Sequence, residues 1–488
     1  MDSRDSPLRH LDNDVLTAIF ELLRPREGLR PLSATCRWIR DASKPVLFRH
    51  SWVGSTWLRG GGSKDTVSGY LPQSLWTFVR HLSFYGDFPA WPIDSLPQPE
   101  VLLRRADQTA SFLRSPLELA FLAAVVEQVP VSLETLVVSS EFLPSLQSLS
   151  NVVWPNLREL RLQGERIVDE TTPSTGPLLA SMPQLQTLVL ELAPPAGATP
   201  RQRICPKDDR ELDRPCPWPD LLTFSIAYPD PDDTIYSLLP HTLRSLSLRC
   251  WPRHYIHVDW PAFTRGQTLG WQSPILSAAE LLRIIQHRQW PCLSDLDIEY
   301  RQDECEKELL EALPAACPNL TTLTLHRYRM PGADDIDMTM LAQALAPLAH
   351  LRDLRLHLDF SQHPPAIAAV SDYWRPRVGA LVYSKYHECA TYLASTLATS
   401  LRSILFLVRI LETNEWVPFF VMVDEAHQRT ARINMLIAEE YELEWTAVGR
   451  LEELSTSTLM FHQTNLQDEC TVNVFIVFAN RIVRLFTE

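Results

Sequence analysis

At 488 residues the chain exceeds what one compact core usually holds, so several domains or one elongated repeat array are expected. Its composition, 45% hydrophobic and 21% charged, is that of a folded soluble protein, and a formal net charge of −14 argues against a general nucleic-acid binder, which needs a positive surface. Only 15 glycines stand against 38 prolines, which predicts many stiff breaks between elements and few phosphate-hugging turns.

The N-terminal residues 1–14 carry charges and no apolar stretch, so no secretory signal is read there. Leu11, Val15, Ile19, Leu22 and Leu23 then recur at spacings that share one helical face. Asp12 and Asp14 stand where carboxylates satisfy free backbone N–H groups, and Pro25 stops the helix. A second periodic set follows in Leu29, Leu32, Cys36 and Ile39, with Trp38 beside it, and a third apolar cluster, Val46 to Phe48, comes just after Pro45. Helices this short bury little by themselves, and such units usually need a partner.

The run Leu11-Asp12-Asn13-Asp14-Val15-Leu16-Thr17-Ala18-Ile19-Phe20-Glu21-Leu22-Leu23, followed by Leu32-Ser33-Ala34-Thr35-Cys36-Arg37-Trp38-Ile39-Arg40, resembles an F-box. The sequence departs from that pattern at Asp12, where the family usually has proline, and at Asp14, where it usually has glutamate. The resemblance implies docking on a Skp-type adaptor within a cullin–RING ubiquitin ligase. Leu11, Val15, Ile19, Leu22, Leu29, Leu32 and Trp38 are then the adaptor-docking or module-core positions. The bottom-up alternative is a helical hairpin that caps whatever follows.

Beyond the N-terminal helices the pattern Leu-x-x-Leu-x-Leu recurs, with apolar replacements. It stands at Leu133-Leu136-Val138, Leu157-Leu160-Leu162, Leu185-Leu188-Leu190 and Leu221-Phe224-Ile226. It continues at Leu243-Leu246-Leu248, Leu293-Leu296-Ile298, Leu320-Leu323-Leu325 and Leu351-Leu354-Leu356. Val79-Leu82-Phe84 and Leu401-Ile404-Phe406 extend the series in both directions. Pro155, Pro183, Pro219, Pro291 and Pro318 each stand two residues before a first leucine, and helix-like stretches at 278–289 and 306–316 precede two of them. The unit reads as helix, break, short strand, and it must stack on its neighbours to bury both faces.

This pattern resembles leucine-rich-repeat proteins of the helix-containing type, and an F-box followed by such repeats is a known architecture, numerous in mushroom-forming fungi. The expected fold class is α/β: a small all-α F-box, then an irregular horseshoe solenoid with parallel strands inside and helices outside. The expected division is an F-box at 1–50, a linker at 51–75, the solenoid at 76–410 and a C-terminal cap at 411–488. Where many such repeats place Asn or Cys after the third leucine, this chain has Glu141, Glu165, Arg301, Tyr328 and Asp359. The proline-rich stretch 193–220 reads as a surface loop, 251–271 as an aromatic excursion, and 472–478 as a buried strand.

If the leucines point inward, alternation places their neighbours on the concave wall. That rule nominates Arg161, Gln163, Glu191, Arg249, Asp295, Asp297, Glu299, His326, Arg355 and His357 for contact with a target protein. The bland alternative is a solvated strand face with no partner.

No catalytic constellation is visible. Asp424-Glu425-Ala426-His427 follows an apolar run as in helicase-like ATPases, yet no GxxxxGK[ST] phosphate cradle accompanies it. No HExxH, GxSxG or His/Cys metal spacing occurs, so neither enzyme activity nor a cofactor is expected. No apolar run reaches the roughly 18 residues of a membrane span. The nine cysteines are odd in number and lack a CxxC pair, which fits reduced thiols in the cytoplasm or nucleus. Taken together these features point to a non-catalytic target receptor of an SCF-type ligase. Its partners would be the adaptor, the cullin ligase and an unknown target protein, with no nucleic acid or membrane. The alternative is a leucine-rich-repeat interaction scaffold with no ligase role.

Overall fold

The computed structural model describes residues 11–24, 28–54, 71–85, 129, 131–139, 153–165, 181–194, 201–205, 218–251, 253–254, 274–361, 376–410, 413–423 and 428–433. The chain begins with three helices, α1 (Asn13–Leu23), α2 (Leu29–Thr35) and α3 (Arg37–Leu47). Asp12 caps α1, its carboxylate accepting from the Asp14 N–H at 3.2 Å. The periodicity shared by Leu29 to Ile39 does not make one helix: the backbone is extended at Cys36 and divides α2 from α3. Pro45 lies in the last turn of α3; it has no N–H to donate to the carbonyl four residues before it, and the helix ends two residues later at Leu47.

A single sheet of 14 strands follows, made of β1 (His50–Gly54), β2 (His81–Tyr85), β3 (Thr135–Ser139), β4 (Glu159–Glu165), β5 (Thr187–Ala193), β6 (Thr223–Ala227), β7 (Ser245–Arg249), β8 (Leu276–Ser277), β9 (Asp295–Arg301), β10 (Thr322–Tyr328), β11 (Asp353–His357), β12 (Ser403–Ile410), β13 (Thr413–Val423) and β14 (Arg429–Ile433). Strand order in space follows chain order, with the short β8 pairing off the main path against β9. Pairing is parallel from β1 to β12, then antiparallel through β13 and β14. The first strand begins at the last residue of the expected F-box and runs into the stretch read as a linker, so the sheet starts directly after α3.

All ten leucine patterns fall at strands, and they align. Leu136, Leu160, Leu188, Phe224, Leu246, Leu296, Leu323, Leu354 and Ile404 stand opposite one another across successive strands. Each is essentially inaccessible, as are the third-position residues two places further on. The first leucine of each pattern closes a tight turn: Leu157 N–H donates to the Trp154 carbonyl, Leu221 to Trp218, and Leu293 to Trp290. Pro155, Pro219 and Pro291 occupy the second position of those turns, where the fixed proline φ is already correct. The carbonyl before each strand then accepts two N–H groups of the next unit, as Arg244 does from Ser294 and Asp295, both at 2.9 Å.

Helices α4 (Gln73–Trp76), α5 (Ile235–Leu238), α6 (Ala278–Gln286), α7 (Glu306–Ala316), α8 (Met338–Leu345) and α9 (Pro376–Thr396) complete the described elements. From α6 onward each helix packs on the next. Their apolar faces, including Leu281, Ile285, Leu310, Leu313 and Leu345, join the strand leucines in one core. A capping box starts α6: Ser277 Oγ accepts from the Glu280 N–H and Glu280 accepts from the Ser277 N–H. Arg327 points to this helical side and is fully buried against Glu306, with Nε–Oε1 at 2.7 Å and Tyr300 donating to the same oxygen at 3.0 Å.

No helix among the described residues is long and apolar enough to cross a membrane. The seven described cysteines are free thiols. The strand read at 472–478, most of the expected C-terminal cap and the Asp424–His427 tetrapeptide lie outside the described residues.

Candidate functional site

Two surfaces hold the nominated residues. The first is the N-terminal helices. Leu16, Phe20, Leu29, Ile39 and Val46 form their small core, with Leu32 and Trp38 half-buried against it. Leu29, Leu32 and Trp38 therefore belong to the module interior or its margin, whereas Leu11, Val15 and Leu22 are exposed and Ile19 is half-buried. Helix α1 thus has two apolar faces, and only one of them is used within the module. The module is tied to the sheet by the Arg49–Glu21 ion pair at 2.9 Å and by Phe48, which packs on the main core.

The second surface is the face of the sheet opposite the leucines. Its residues form rows in register. One row runs Thr135, Glu159, Thr187, Thr223, Ser245, Asp295, Thr322, Asp353, Ser403, all hydroxyls and carboxylates. Hydroxyls donate to carboxylates across strands, from Ser403 to Asp353 at 2.5 Å and from Ser245 to Asp295 at 3.4 Å. The next row holds Arg161, Val189, Ser225, Ser247, Asp297, Thr324 and Arg355.

The nominated wall is not uniformly open. Arg161 and Arg355 are exposed, and Gln163, Arg249, Asp295, Asp297 and His357 are half-buried. Glu191, Glu299 and His326 are buried, at 3%, 1% and 1% exposure, so the expectation that they meet a target at the surface is corrected. The physical reason is an internal network. Arg249 pairs with Glu191, whose other oxygen accepts from Gln163 at 2.7 Å. Just after β7 the chain folds back: Arg253 reaches Asp297 at 2.8 Å and Glu299 at 3.3 Å, and the Cys250 N–H donates to Glu299 at 2.9 Å. Tyr328 donates to the remaining Glu299 oxygen at 2.8 Å, and His254 lies edge-on to the Tyr328 ring.

Burial raises the carboxyl groups of Glu191 and Asp297, but the adjacent guanidinium groups outweigh it and hold both below the ordinary range. Asp295 moves the other way, raised by burial and by Asp297 beside it. Burial keeps His326 and His357 neutral, with His357 pushed down to about 4. His326 and His357 are register partners on β10 and β11, and the Trp416 ring meets His326 edge-on.

Arg253, Tyr328 and Trp416 were not legible as parts of this site. Arg253 falls in an aromatic stretch without period, Tyr328 at a turn position, and Trp416 past the last repeat. Two guanidinium groups, Arg249 and Arg253, are shared among three carboxylates, Glu191, Asp297 and Glu299, and no group of three or more His, Cys, Asp or Glu among the described residues is placed to hold a metal. The arrangement ties neighbouring strands together and leaves Arg161 and Arg355 exposed. A scan against models of known protein families matched none, and a search of curated proteins found no match.

Proposed function

We propose that the chain is the target-recognition subunit of an SCF-type ubiquitin ligase, with its N-terminal helices docking a Skp-type adaptor and its sheet binding the target. One observation carries this reading: Val15, Ile19 and Leu22 line the face of α1 that the module core does not use, and Leu11, just before the helix, is exposed as well. A helical cap would turn its apolar residues toward the sheet, and exposed apolar patches usually mark interaction sites. The F-box resemblance supports the same face as the adaptor surface. The recurring turn, strand and helix with aligned leucines support an irregular leucine-rich-repeat solenoid as the target-binding scaffold.

Co-purification of the intact chain with a Skp-type adaptor tests the proposal. The intact chain is expected to retain the adaptor, and Val15→Asp with Leu22→Asp to lose it without a change in melting temperature. No adaptor with the intact chain would leave a repeat scaffold as the better reading. Two observations favour that second reading: Asp12 acts as an N-cap in place of the usual proline, and Glu21 is engaged by Arg49 at the root of the sheet.

A further inference from the structure

The sheet face opposite the leucines changes character at its far end. In the row that carries Asp297, Thr324 and Arg355 on β9 to β11, the next positions are Leu405 on β12 and Pro418 on β13. Alternation on β13 places Phe420 and Met422 on this same face, beside Ser403 and Thr430. Phe420 is 43% exposed and Met422, near the end of the strand and paired on its β14 side, is 49% exposed, high values for large apolar side chains in a sheet. Two exposed arginines flank the stripe: Arg355, two strand spacings (about 10 Å) from Pro418, and Arg432, directly opposite Phe420 on β14. Neither forms an ion pair among the described residues, and among these residues the carboxylate in the row of Phe420 on the adjoining strands is Asp353, which is already bonded to Ser403. Exposed arginines beside an apolar stripe stand out on a chain whose formal net charge is −14.

We propose that this end of the face is the docking surface for a polypeptide segment that presents a large apolar side chain next to carboxylates. The proposal rests on the target-receptor reading and names the chemistry of the target. An apolar centre with a polar rim is the usual anatomy of a protein interface, and methionine adapts to varied apolar partners. The guanidinium fork matches a carboxylate in geometry as well as charge. The same partner is turned away from the middle of the face, where Asp295 and its neighbours present carboxylates and the arginines are already paired.

The test is selection of a random peptide library, displayed on phage, against the full-length chain. Enriched peptides are expected to carry Phe, Leu, Met or Trp within a few residues of Asp or Glu. Met422→Asp and Arg355→Glu, both at exposed positions, should each weaken a selected peptide at least tenfold, while Met422→Leu retains it. All three variants should keep the melting temperature and the adaptor binding of the parent chain, so failure here is distinguishable from failure of the adaptor reading. Basic peptides, no enrichment, or binding indifferent to both variants would overturn the proposal. So would a Met422-dependent dimer in sedimentation, which makes a second copy the occupant, or a Met422 resistant to peroxide in the isolated monomer, which makes the chain its own occupant.

Discussion

Arg253 shows how much one side chain can decide. Its guanidinium joins Asp297 and Glu299 across the face of β9 while its own exposure is 6%. Truncating one member of a buried ion pair leaves the other charge desolvated and unmatched, which costs roughly 3–5 kcal/mol. Arg253→Ala is therefore expected to lower unfolding free energy by about 3 kcal/mol in urea titration. His357 acts in the opposite electrostatic sense, because the folded chain holds it neutral. An unfolded histidine gains its proton near pH 6.5, but the folded one only near about 4. In that interval the unfolded chain binds more protons, so stability complete above pH 6.5 is lost as pH falls toward 4. His50, stacked on His81 and pushed down to about 3, extends the same trend. The urea midpoint is expected to drop between pH 7 and pH 4.5, and His357→Gln should flatten that slope. Glu191 and Asp297, held below the ordinary range, add their own loss only at lower pH.

Individual elements are defined by their ends as much as by their apolar periods. The Leu-x-x-Leu-x-Leu pattern was legible because alternation puts two of its three leucines on one side of a strand, and the register aligns them. The tryptophans before the prolines were not recognised as a signal, yet Trp154, Trp218 and Trp290 are all buried at the turn that launches a strand. Trp290→Ala is expected to cost about 3–5 kcal/mol, as deletion of a fully buried aromatic does, read from the same urea titration. Aspartate carboxylates satisfy backbone groups beyond the ends of two strands. Asp359, at positive φ, accepts from the Arg329 N–H at 2.9 Å, and Asp303 accepts from the Ala279 N–H at 2.9 Å. Both bonds satisfy backbone groups of a preceding unit, a role that an acceptor oxygen fills whichever residue carries it.

At the scale of the molecule, every strand but the short β8 takes its place in chain order, β7 pairing directly with β9, so the sheet grows by local steps from β1 to β14. Pairing switches from parallel to antiparallel between β12 and β13. Arg429 on β14 anchors the end, donating to the carbonyls of Leu397 and Leu401 at 2.6 and 3.2 Å, just past the C-terminus of α9. The proposed division of labour follows from this layout, with adaptor docking at one end of the chain and target docking at the other. Variants of Val15 and Leu22 should therefore leave peptide binding intact, while variants of Met422 and Arg355 leave adaptor binding intact.

The sequence by itself determined where ten of the fourteen strands lie and which of their residues are buried behind them, because period and proline placement are local properties. It also determined that the N-terminal helices carry more apolar surface than they can use. The tertiary structure alone decided which polar residues of the opposite face remain available. Glu191, Glu299 and His326 obey the same alternation as Arg161 and Arg355; what separates the two groups is Arg249 on Glu191, Arg253, the Cys250 N–H and Tyr328 on Glu299, and the rings of Trp416 and His357 on His326. Long-range charge pairing leaves no trace in the spacing of one strand, and neither does the apolar stripe that β13 adds to the face once it pairs with β12.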